Sequence, residues 1–65
     1  MPTREQIYSM AMYLVDYYGA DAVVVARQKA ARQVALDNDA GILVWSRISE
    51  ALERLLAGLP PPTIH

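Results

Sequence analysis

Cysteine is absent from this 65-residue chain, which removes disulfide cross-links and the thiolate ligands of a structural zinc site. A domain this short hides only about 60% of the surface its unfolded chain exposes. Small folds offset that shortfall with disulfides, a bound metal or self-association. With no cysteine, self-association is the expected route.

Histidine is nearly as scarce, because the only one is the terminal His65. A Ser9 or Ser46 nucleophile would therefore lack its ordinary base, and covalent catalysis is not expected. The glycines Gly19, Gly41 and Gly58 stand far apart, so no glycine-rich loop can cradle a phosphate. Excess charge of one sign is missing too. Six Lys and Arg face seven Asp and Glu, for a net charge of −1, and no long-range field steers the chain toward nucleic acid or an anionic membrane. No window of about 20 residues is apolar throughout, as a membrane span requires. Met1-Pro2-Thr3-Arg4-Glu5 lacks the layout of a signal peptide. The expectation is a cytoplasmic protein without cofactor or metal.

What is present is helical periodicity. Thr3 followed by Gln6 has the spacing of a capping box, and Ile7, Met10, Ala11, Leu14, Val15 and Tyr18 share one face opposite Glu5, Ser9 and Asp16. Gly19 supplies a left-handed stop. This predicts a first helix over about 4–18. From Ala20 to Leu36 alanines recur among good helix formers, while Val23, Val24, Val25 and Val34 lean weakly toward strand. Helix is preferred, because Val23, Ala26, Ala30 and Val34 line one stripe and Gln28, Lys29, Arg32 and Gln33 gather on the other side. The second helix is expected over about 20–36.

Asp37-Asn38-Asp39 competes with helical hydrogen bonding and favours caps and turns. A third helix, about 39–57, carries Gly41, Val44, Trp45, Ile48, Leu52, Leu55 and Leu56 on one face and Arg47, Glu50 and Arg54 on the other. Gly58 and Pro60 end it. Pro60-Pro61-Pro62 then favours extended polyproline II, without the P-x-x-P spacing of an SH3-type ligand. The expected fold is all-α: a three-helix, bundle-like domain over 1–58 followed by a proline-rich tail over 59–65. Trp45, Ile48, Leu52, Leu14 and Val34 should form its core.

The residues with chemical potential have ordinary explanations. Asp37 and Asp39 suit a helix start, and Glu50 and Glu53 flank arginines on a solvated face. Asp37-Asn38-Asp39-Ala40-Gly41 fails as a calcium loop, because its sixth and twelfth positions are Ile42 and Ile48 rather than glycine and glutamate. Two surfaces remain. Tyr8, Met12, Tyr13 and Tyr17 make helix 1 more apolar than two neighbours can cover, and tyrosine and methionine are enriched where proteins meet. With Arg27, which projects beside Val23, Ala30, Ala31 and Val34 and needs a partner such as Asp16 or Glu53, they form the candidate protein interface, with a homodimer favoured and a different protein partner second. The Gln28, Lys29, Arg32 and Gln33 face of helix 2 is the candidate nucleic-acid surface, though so few cations hold phosphates poorly at physiological salt.

The pattern Asp39-x-Gly41-x-x-x-Trp45-x-x-Ile48-x-x-Ala51-Leu52-x-x-Leu55, after an alanine-rich segment, resembles an uncharacterised family of short bacterial all-helical proteins. The resemblance spans helices 2 and 3. It implies a helical fold and a bacterial cytoplasmic setting, and it carries no activity or functional residue.

Overall fold

A computed structural model describes residues 2–58, and the tail expected over 59–65 lies outside them. The class is all-α: among the described residues there is no strand. Helix α1 spans Arg4–Tyr18, as its periodicity requires. Its start is the expected capping box: the Gln6 N–H donates to Thr3 Oγ1 at 3.1 Å, and the Thr3 N–H donates to Gln6 Oε1 at 2.8 Å. Gly19, at φ 61°, ends it with its N–H on the Val15 carbonyl. The next turn is short, and α2 starts two residues later than expected. Gly19–Asp21 is a single 3-10 turn, so α2 begins at Ala22 and runs to Ala35.

The α2–α3 connection shows what Asp37-Asn38-Asp39 does. The Asp37 N–H bonds the Val34 carbonyl at 3.0 Å and the Asn38 N–H bonds the Gln33 carbonyl at 2.9 Å, the paired bonds of a Schellman motif. That motif needs a left-handed residue, and Asp37 provides it at φ 55°. Asn38 then returns to extended backbone and caps α3, Asp39–Leu56, by accepting the Gly41 N–H on Oδ1 at 3.2 Å. Its Nδ2 donates to Gln33 Oε1 at 2.8 Å. A Cβ on Gly41 would collide with that Gln33 carboxamide and the Asn38 amide. A side chain at 41 would therefore displace the Gln33 carboxamide from its bond to Asn38, and it is this close approach, not the backbone angle, that favours glycine there.

Helix α3 packs against both α1 and α2, which touch each other little. The described residues extend over 32 × 29 × 15 Å, so the three helices form a flattened arrangement. A flat layer encloses few residues. Ile7, Ala11, Ala22, Ala26, Ile48, Ala51 and Leu52 are buried, and the alanines among them contribute only a methyl each. What the alanines allow is proximity, since interaxial distance follows the size of the side chains at the contact.

Ile48 and Leu52 are core residues, as expected, and are the largest fully buried side chains. Trp45 and Leu14 are half-buried at the margin of the core. Val34 corrects the sequence-based stripe, being 61% exposed. The inward face of α2 is rotated by about 50°, with Ala22 and Ala26 buried and Val23, Ala30 and Gln33 half-buried. Small alanines at 22 and 26 allow close packing on that side, and the Asn38 amide holds Gln33 inward. Val34 is left outside.

Candidate interaction face

Tyr13 and Tyr17 of α1 are presented outward by simple periodicity. Ile7 and Ala11 occupy the buried side with Leu14, Val15 and Tyr8 packed around them. At about 100° per residue, Met10, Tyr13 and Tyr17 fall together on a neighbouring stripe that α3 does not cover. Tyr13 is 66% and Tyr17 72% exposed. Their rings stack at 6.4 Å with 13° between planes, and Tyr17 meets Tyr18 edge-on at 4.8 Å. Offset aromatic pairs in this range attract, so the two exposed rings hold one another as a single apolar plate.

That plate continues into a groove between α1 and α3. The groove is open, about 380 Å³, and lined by Ser9, Met10, Tyr13, Leu14 and Trp45. Trp45 comes from the second turn of α3, where its carbonyl also accepts the Ser49 hydroxyl at 2.9 Å. Its polar groups are all neutral: the Ser9 hydroxyl, the Tyr13 phenol and the Trp45 indole N–H. Such a surface recognises shape and apolar area and offers no charge to hold an ion.

The five residues proposed from sequence as an interface do not form one patch. Tyr13 and Tyr17 lie together. Met12, although 56% exposed, sits about 100° around the helix from Tyr13, on the other side of the buried arc. Tyr8 is half-buried against the core. Arg27 finds the expected Glu53: its Nη2 donates to Oε1 at 2.6 Å, with the side chains 67% and 53% exposed. That corrects its place on the apolar side of α2, because the guanidinium bridges α2 and α3 at the surface. Surface pairs of this kind contribute about 0–1 kcal/mol.

Met10 and Trp45 are members that the candidate interface read from the sequence left out. Both were assigned inward by periodicity, yet Met10 is 38% exposed and Trp45 is a groove wall. The i, i+3, i+7 spacing of Met10, Tyr13 and Tyr17 was the available signal. It was obscured because Met10 also completes the inward stripe.

On α2, Gln28, Lys29 and Arg32 are exposed on one flank. Gln33, the fourth residue of the candidate nucleic-acid surface, is turned toward α3 and held by Asn38. Arg27 projects from the opposite flank and is engaged with Glu53. Among the described residues no group of three His, Asp or Glu side chains converges to hold a metal ion, no polar or charged side chain is buried, and no helix is long and apolar enough to cross a membrane.

The fold and this face define an all-α chain with an uncharged, aromatic surface stripe. Comparison with protein-family models, with curated proteins and with solved structures finds no match to it.

Proposed function

We propose that this chain is a small non-enzymatic helical module that acts by binding protein, in the first place another copy of itself. The observation that carries this reading is the stacked, largely exposed Tyr13–Tyr17 pair beside the apolar α1–α3 groove. Tyrosine and methionine side chains standing in water on a fold with so small a core are most stable when a second surface covers them. In this reading the flat helical layer is one half of a bundle, and the second half comes from the partner.

Catalysis fits the same surface poorly. Transition-state stabilisation relies on preorganised polar groups in a water-excluded site, whereas this groove is open and its lining has no charged side chain. Nucleic-acid binding is the weaker alternative, since the α2 face retains Lys29 and Arg32 without Gln33 or Arg27, and two cations secure few phosphates.

Light scattering on a size-exclusion column at high micromolar concentration tests the proposal. The expected mass is twice the 7.2 kDa of the chain. A mass of one chain throughout the concentration range rules out the homo-oligomer. A labelled duplex that binds at low salt, and loses binding on Lys29→Ala and Arg32→Ala, would favour the alternative.

A further inference from the structure

Resting on that reading, we infer how the second copy sits: α1 packs against α1 across a two-fold axis passing beside Tyr13, with Met10 of each copy against Tyr17 of the other. Area selects this occupant. A tyrosine presents about 150–250 Å², so the exposed fractions of Tyr13, Tyr17 and Met10 (66%, 72% and 38%) expose roughly 350 Å² on one copy. Two-fold symmetry doubles this to roughly 700 Å². The half-exposed edges of Leu14 and Trp45 and a rim of Gln6 and Ser9 bring the total to about the 1,000 Å² that a specific interface needs. No other partner has to be matched to the stripe, because an isologous contact supplies both halves from the same residues.

The register follows from the position of the apolar residues. Two copies of one stripe overlap most when the axis crosses its midpoint, and the midpoint of Met10, Tyr13 and Tyr17 lies beside Tyr13. The helices then run antiparallel, which also opposes their dipoles favourably. Each Met10 thioether meets an aromatic ring edge, a contact that attracts sulfur to the ring. The stripe itself contains no charged side chain, so self-pairing puts no like charges face to face. Met12 lies outside this seam, as do Val24, Val34 and Leu36, which are 54%, 61% and 63% exposed and are among the rival surfaces for self-association.

Because the chain has no cysteine, a single introduced cysteine reports proximity cleanly. Tyr13→Cys, and a mixture of Met10→Cys with Tyr17→Cys chains, are expected to form covalent dimers under mild oxidation, whereas Met12→Cys and Val34→Cys stay monomeric on a non-reducing gel, since a disulfide needs Cα atoms within about 7 Å. Tyr17→Glu reads the same contact without cysteine: it should weaken the dimer at least about tenfold, while Met12→Glu leaves it unchanged, with circular dichroism confirming that both variants are folded. A dimer that cross-links through position 12 or 34, or that survives Tyr17→Glu and not Met12→Glu, overturns this register and leaves the self-binding reading intact. A monomer at every concentration overturns both.

Discussion

Asn38→Ala should destabilise the fold by about 1.5–2 kcal/mol, and the reason lies in two bonds made by one side chain. Its Oδ1 caps α3 by accepting the Gly41 N–H at 3.2 Å, and its Nδ2 donates to Gln33 Oε1 at 2.8 Å. Loss of an asparagine cap costs typically about 1 kcal/mol. The second bond is worth about 0.5–1.5 kcal/mol, toward the lower end here because Gln33 is only half-buried and can turn to water. For 65 residues the whole stability is of order 3–10 kcal/mol, so this one amide holds a substantial fraction of it. Urea unfolding followed by Trp45 fluorescence at fixed protein concentration measures the change. With a slope of about 1 kcal/mol per molar for so small a chain, the midpoint should fall by roughly 1.5–2 M. Asn38→Asp separates the contributions, because it keeps a cap acceptor and loses the donor to Gln33. It should recover about half the loss, aided by an anion at the α3 N-terminus. A midpoint for Asn38→Ala within about 0.5 M of the parent would refute the view that Asn38 organises the α2–α3 turn.

Three further outcomes can be checked in the same assay. Asp37→Gly should stabilise by about 0.5–1 kcal/mol, since the residue sits at φ 55°, where glycine alone escapes the steric cost of a Cβ; a loss of stability would show that the Asp37 carboxylate contributes something the backbone does not reveal. Leu52→Ala, at a fully buried position, should cost about 2–5 kcal/mol and leave the chain near its unfolding midpoint, and a cost below about 1 kcal/mol would mean that the core is not where α3 meets its neighbours. Glu53→Gln should change stability by less than about 0.5 kcal/mol and lose even that in high salt, because the Arg27–Glu53 pair is more than half exposed on both sides and screened by water and ions; a cost of 2 kcal/mol or more, as in a desolvated pair, would contradict the exposed geometry.

Much of the local structure could be read along the chain, because its causes are local. The capping box of Thr3 and Gln6, the stop at Gly19, the break at Asp37-Asn38-Asp39 and the end before Gly58 all depend on bonds between residues a few positions apart. Helix α1 accordingly begins and ends where expected. Ile48 and Leu52 were legible for a related reason: the apolar face of α3 is continuous, and any neighbour must cover it. Less was legible on α2. A helix with alanine on several sides has no strongly preferred inward face, so its rotation was settled by where α3 approached and by the Gln33–Asn38 bond. Val34 and Gln33 exchanged their expected places as a result.

The candidate interface divides in the same way. An excess of tyrosine and methionine on α1 is a property of composition and spacing, and it is visible without coordinates. Which of those side chains share a surface depends on which arc α3 covers: Met10, Tyr13 and Tyr17 flank one edge of that arc, and Met12 lies beyond the other, with exposed Ser9 and Asp16 between it and Tyr13. The groove wall at Trp45 comes from a residue more than two dozen positions away, and no periodicity within α1 could supply it. Bonds between near neighbours determine where each helix starts and stops, so they are written in the order of the residues. The direction each helix faces is a balance among close-packed partners distant along the chain, and only the packed structure decides it.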